Sequence, residues 1–160
     1  MSISDQQILI RLLVALAVGS LFGVERRQQR KPVGMRTHIL ICLSCTVITM
    51  VSAYGFAAIN PGDPARLMVG LLTGIGFIGG GIIWKSSTGV VQGVTTAADI
   101  LLLTALSMAI GLGLYFLVAV AALIGFITLE SNRWSEAWKK RRALKGEADA
   151  EDELSGQNED

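Results

Sequence analysis

Between Thr37 and Leu129 only Asp63, Arg66, Lys85 and Asp99 carry a formal charge. A soluble fold made from so long a stretch could not wet its own surface. The whole chain of 160 residues is 51% hydrophobic and 17% charged, whereas an ordinary soluble domain carries about 25% charged residues. Lipid is the medium that suits such a stretch. Five apolar segments are visible, at about residues 8–24, 37–56, 67–84, 95–110 and 114–129. Each approaches the roughly 20 residues that cross about 30 Å of hydrocarbon. Backbone groups have no water partner there, so each segment predicts a helix. The expectation is an all-α, polytopic membrane protein of about five transmembrane helices within residues 1–130. The first segment lacks a basic leader and a small-residue cleavage site, and Arg11 interrupts its start, so it reads as a retained helix.

Charge outside these segments sets an orientation. Arg26, Arg27, Arg30, Lys31 and Arg36 follow the first segment, Lys85 follows the third, and Arg133, Lys139, Lys140, Arg141, Arg142 and Lys145 follow the fifth. The second connection holds only Asp63 and Arg66, and the fourth holds no charge. Five crossings put every dense Lys/Arg cluster on one side, which the positive-inside rule makes cytoplasmic, with the N-terminus outside. Residues 131–146 interleave Trp134 and Trp138 with bases, as expected of a short interfacial helix. Residues 147–160 are acidic and read as a solvated, disordered tail. Anionic headgroups account for the basic clusters, so no nucleic-acid partner is implied.

Residues 70–81, GLLTGIGFIGGG, contain G-x-G-x-x-G. A dinucleotide fold needs a strand before these glycines and further βαβ units after them, and neither is present. Gly70/Gly74 and Gly76/Gly80 instead form G-x-x-x-G pairs, and Gly19/Gly23 form another in the first segment. Such pairs let a second helix backbone approach closely. Gly79-Gly80-Gly81 would also permit a break at mid-membrane, a device that lines ion sites in transporters.

Few side chains are equipped for chemistry. Glu25 reads either as an interfacial ion-pair partner or as an inward carboxylate paired with Arg36 or meeting a cation. His38, Cys42 and Cys45 share one helical face in an H-x-x-x-C-x-x-C spacing. That spacing fits three metal ligands, but packing is the commoner use of small buried cysteines. A role for His38 in proton sensing or partner contact is the alternative. Asp63 and Pro64 suit the cap and first position of the third helix, although an external acid there would also meet a divalent cation. Asp99 stands one turn into the fourth helix, where it either complements the helix dipole within reach of Lys85 or, if deeper, forms an ion or proton site. No nucleophile–base pair or cofactor motif is present, so neither an enzyme nor a cofactor is expected.

Several motifs occur in order. Gly23-Val24-Glu25-Arg26 and Lys31-Pro32-Val33-Gly34-Met35-Arg36-Thr37-His38 resemble the G-x-E-R…K-x-A-G-L-R-T-H segment of the MgtC/SapB family of bacterial membrane proteins. Asp63-Pro64-Ala65-Arg66 resembles its D-P-x-R, residues 74–81 its G-I-G-F-L-G-A-G, and Gly93-Val94-Thr95-Thr96-Ala97-Ala98 its G-L-T-T-A-A. The resemblance implies an inner-membrane protein of about five helices. Some members are linked to growth in low Mg²⁺ and to survival inside host cells, through modulation of other membrane systems. By motif match Glu25, Arg36, His38, Asp63, Arg66, Thr95 and Thr96 are the functional candidates. Asp99 departs from the family pattern, which commonly places a small residue and then Trp after T-T-A-A. Longer members carry an ACT-like C-terminal domain, where this chain has its charged tail.

Two functions follow as expectations. One is a regulator that contacts lipid, other inner-membrane proteins or a second copy of itself through its glycine faces and basic loop. The other is a small oligomeric channel or carrier for a cation or proton, using Glu25, His38 and Asp99.

Overall fold

The computed structural model describes residues 3–29, 31–55 and 65–131. Helix α1 (Asp5–Gln28) is longer at both ends than its apolar segment. Ser4 accepts from the Gln7 backbone while the Gln7 side chain accepts from the Ser4 backbone, so the first turn is capped by its own sequence. Arg26 and Arg27 sit in the last turn, where cations oppose the helix dipole. Pro32 lies in the turn before α2 (Met35–Met50), which runs on into a π-helical segment, Val51–Gly55. Helix α3 spans Ala65–Ile82 and α4 spans Val94–Leu112. A last apolar helix, α5, covers Tyr115–Ser131.

Four spans, α1, α2 with its π segment, α3 and α4, are long and apolar enough to cross a membrane by length and composition, and α5 is a shorter apolar helix. Two local features stand out. Gly79-Gly80-Gly81 do not break α3, which stays helical to Ile82. These glycines lie in its final turn, where the helical bonds are still closed and Ile83 N–H reaches Gly80 O at 3.2 Å. The α3–α4 connection is also more than a loop. Strands β1 (Trp84–Lys85) and β2 (Val91–Gln92) pair antiparallel, with Trp84 opposite Gln92. Gly89, at φ 85°, supplies the left-handed turn between them.

One compact unit runs through Ala122 and another begins at Leu123. In the first, α2 packs against both α1 and α4, while α3 packs mainly against α4. The core is not oily throughout. Thr46, Thr49, Thr104 and Ser107 are fully buried between α2 and α4, and each hydroxyl donates to a backbone carbonyl. Thr46 bonds across the interface to Ser107 O at 3.2 Å. A side chain at Gly111 would overlap Thr49, its Cβ falling 2.6 Å from the Thr49 Cβ, so glycine sets this close crossing.

Candidate functional site

The buried face of α1 contains Arg11, Ala15, Gly19, Phe22, Gly23 and Arg26, three or four residues apart. The glycines decide how close α2 comes. A Cβ on Gly19 would stand 2.9 Å from Ile39 Cα and 3.1 Å from His38 O, and one on Gly23 would stand 2.5 Å from Met35 Cα. Contact between the two backbones brings the first turns of α2 down against the last turns of α1. His38 therefore arrives beside Glu25 and Arg26, and the first turns of α4 bring Asp99 to the same point.

The four side chains form one buried cluster. His38 is 0% exposed, Arg26 1%, Asp99 2% and Glu25 4%. Arg26 holds Glu25 with two parallel bonds, Nη2 to Oε1 at 2.8 Å and Nε to Oε2. Gln29 Nε2 also donates to Glu25 Oε1. Asp99 Oδ2 lies 3.7 Å from Arg26 Nε and 3.1 Å from His38 Nε2. His38 Nδ1 lies 2.9 Å from Gly34 O.

Gly34 O can only accept, so His38 Nδ1 donates to it, and His38 Nε2 shares a hydrogen bond with Asp99 Oδ2. Arg26 and Glu25 bury opposite charges against each other. The hydrogen bonding of the cluster is incomplete. Arg26 Nη1 and Asp99 Oδ1 are buried with no partner among the described residues.

At the other end of the bundle a second arginine clamps α1 to α4. Arg11 donates from Nη1 to Gly111 O at 2.6 Å, and its guanidinium lies 4.9 Å from the centre of the Tyr54 ring. It occupies a carbonyl in the last turn of α4, one of those a helix leaves without an internal partner.

The structure places the sequence candidates unequally. Glu25, His38 and Asp99 converge. Glu25 pairs with its neighbour Arg26 rather than with Arg36, which is exposed. Asp99 meets Arg26 and His38 rather than Lys85, which is also exposed. Thr96 is buried one turn before Asp99, whereas Thr95 and Arg66 are exposed. Asp63 lies outside the described residues, as do Arg30 and residues 132–160. His38 has both ring nitrogens committed, and Cys42 and Cys45 are buried free thiols. No group of three or more His, Cys, Asp or Glu side chains that could hold a metal forms among the described residues. Gly70, Gly74, Gly76 and Gly80 meet nothing within 4 Å of an added Cβ, so within the chain their faces are open.

Arg26 and Arg11 were not singled out in the sequence. Arg26 looked like one of a basic run. Its signal was the i, i+3/i+4 spacing behind Gly19, Phe22 and Gly23, which carries it onto the packed face while Arg27 turns outward. For Arg11, a cation inside an apolar segment was itself the sign of an inward partner.

Long apolar helices, helix crossings set by glycine and a cluster of ionisable side chains buried between them define a multi-pass helical membrane protein. The chain belongs to the MgtC family, whose model matches residues 12–138, and it is a multi-pass protein of the bacterial inner membrane. It is 38% identical to YhiD of Escherichia coli (strain K12) over 129 residues, covering 78% of this chain and 60% of that protein. It is 36% identical to SapB of Bacillus subtilis over 135 residues, covering 81% and 58%. With SrpB of Synechococcus elongatus it shares 34% identity over 165 residues, 89% of this chain and 90% of that one. The chain thus spans about 60% of the length of YhiD and SapB. No solved structure matches it.

Proposed function

We propose that this chain is a regulator of other integral membrane proteins, acting in adaptation to low Mg²⁺ or host-like stress. One observation carries the reading. Gly70, Gly74, Gly76 and Gly80 present small, open surface on α3, while α1, α2 and α4 use their own small residues on one another. A transmembrane helix with exposed small residues is suited to receive another helix backbone. Between α2 and α3 a groove of about 630 Å³, lined by Leu40, Ser44, Ile48, Gly70, Gly74 and Ile78 among others, adjoins that surface. The basic clusters orient the protein with its C-terminus in the cytoplasm and its N-terminus outside.

The test is a Gly70→Leu/Gly74→Leu double variant expressed in a strain lacking the gene. Growth in low Mg²⁺ and co-purification of membrane partners after cross-linking are both expected to fail, while the purified variant unfolds at the parent temperature. Wild-type growth and an unchanged partner set would refute the reading. Loss of a self-cross-link alone would identify the occupant of the α3 face as a second copy.

A second reading, a small proton or cation carrier, has its own support in the buried His38–Asp99 hydrogen bond and in Asp99 Oδ1, which has no partner among the described residues. In liposomes with an imposed gradient it requires a flux that Asp99→Asn abolishes. Absence of flux in the wild-type protein rejects it.

A further inference from the structure

A cavity of about 600 Å³ opens at the end of the bundle where α1 finishes and α4 begins. Its polar lining comes from Gln29, Lys31, Gln92, Thr95 and Thr96, with Trp84 on one wall. No carboxylate is among the lining residues. Glu25 is buried and already held by Arg26 and Gln29. The cavity therefore offers one ammonium group, two side-chain amides and two hydroxyls to whatever enters.

The backbone adds donors to the same wall. Gly93 precedes α4 at φ 89°, ψ −12°, a left-handed residue followed at once by right-handed ones, and it supplies no side-chain cap. The first backbone bond into the helix is Ala97 N–H to Gly93 O, at 2.9 Å. The N–H groups of Val94, Thr95 and Thr96 therefore have no helical acceptor, and consecutive left- and right-handed residues turn such groups toward a common concavity that suits an anion. Only glycine permits this geometry, because a Cβ at residue 93 would collide with Ile82 O as well as occupy a left-handed φ.

Thr96 marks the site independently. It is 2% exposed and lines the cavity. Thr46, Thr49 and Thr104, equally buried, each give their hydroxyl to a carbonyl. The Thr96 hydroxyl makes no hydrogen bond among the described residues. The residue is buried, but its hydroxyl opens on the cavity and is free to bond whatever enters.

We infer that this cavity is a binding site for a phosphate group, held by the first backbone N–H groups of α4, the Thr96 hydroxyl and Lys31, with Gln29 and Gln92 on the remaining oxygens. Donors converging from several directions suit a tetrahedral oxyanion better than a flat carboxylate. The open cleft leaves room beyond the phosphate group itself, so free phosphate, a soluble phosphate ester and a lipid headgroup all present the chemistry it would hold. This goes beyond the regulatory reading and does not depend on which protein docks on α3.

The experiment uses the full chain in maltoside micelles, which contain no phosphorus. Inorganic phosphate and short-chain dihexanoyl phosphatidic acid are titrated separately and followed by ³¹P line broadening and calorimetry, with sodium chloride at matched ionic strength as the control. Saturable binding of inorganic phosphate identifies a soluble ligand as the source, and binding of the phosphatidic acid alone identifies a headgroup. In either case Thr96→Val and Lys31→Gln are each expected to weaken binding roughly tenfold, with the unfolding temperature unchanged. Gln92→Leu serves if either fails to fold. The inference is overturned if neither probe saturates, or if the folded variants bind as the parent does.

Discussion

Removing the Asp99 carboxylate tests the cluster directly. Asp99 Oδ2 stands 3.7 Å from Arg26 Nε, a separation at which opposite charges attract by about 4.5 kcal/mol at an effective dielectric of about 20. It also hydrogen-bonds His38 Nε2 at 3.1 Å, and bonds to charged groups are worth about 1.5–3 kcal/mol. Against these stands the cost of burying the carboxylate, which cancels much of the attraction in the intact protein but is not recovered by Arg26 when its partner is cut away. Breaking a buried pair from one side costs about 3–5 kcal/mol. Arg26 keeps Glu25, so Asp99→Ala is expected near the lower end, at about 3 kcal/mol. Asp99→Asn retains an oxygen for His38 and is expected to lose about half as much. The assay is reversible unfolding in mixed micelles by denaturing detergent, with a double-mutant cycle to His38→Ala. The cycle should return a coupling of about 1.5 kcal/mol or more. An Asp99→Ala variant within about 0.5 kcal/mol of the parent, or a coupling near zero, would refute the account of a mutually dependent cluster.

Three further outcomes follow. Gly23→Val should cost about 2 kcal/mol or more by thermal unfolding, because its Cβ would lie 2.5 Å from Met35 Cα and force α2 away from α1. Arg11→Met should cost about 2 kcal/mol in the same measurement by freeing Gly111 O and vacating the Tyr54 ring. It should also raise hydrogen exchange of the amides in the last turn of α4. Gly93→Ala should lower the yield of folded protein sharply, since about 1–2 kcal/mol of left-handed strain adds to the overlap with Ile82 O. A normal yield of monodisperse protein would contradict the close approach of α3 to the start of α4.

Much of the fold was legible because hydropathy is a local sum. The count of apolar segments and their centres needs no knowledge of neighbours, and the helices lie where those sums are high. Their ends were less legible, because capping at Ser4 and the last-turn arginines extend α1 beyond its apolar stretch. The β1–β2 ladder was missed because two-residue strands leave no periodicity to read. Of the buried cluster, Glu25, His38 and Asp99 were nameable as ionisable groups near lipid, but Arg26 was indistinguishable from Arg27 by composition alone.

The residues by themselves determined the medium, the number of apolar helices and the family, since each depends on side-chain polarity or on motif order along the chain. Tertiary structure alone decided which charges meet. Asp99 takes His38 and Arg26 instead of Lys85, and Glu25 takes Arg26 instead of Arg36. Partner choice depends on the rotation of each helix about its axis and on how far it slides past its neighbour. Those are set where backbones touch, at Gly19, Gly23 and Gly111, by contacts between residues far apart in sequence.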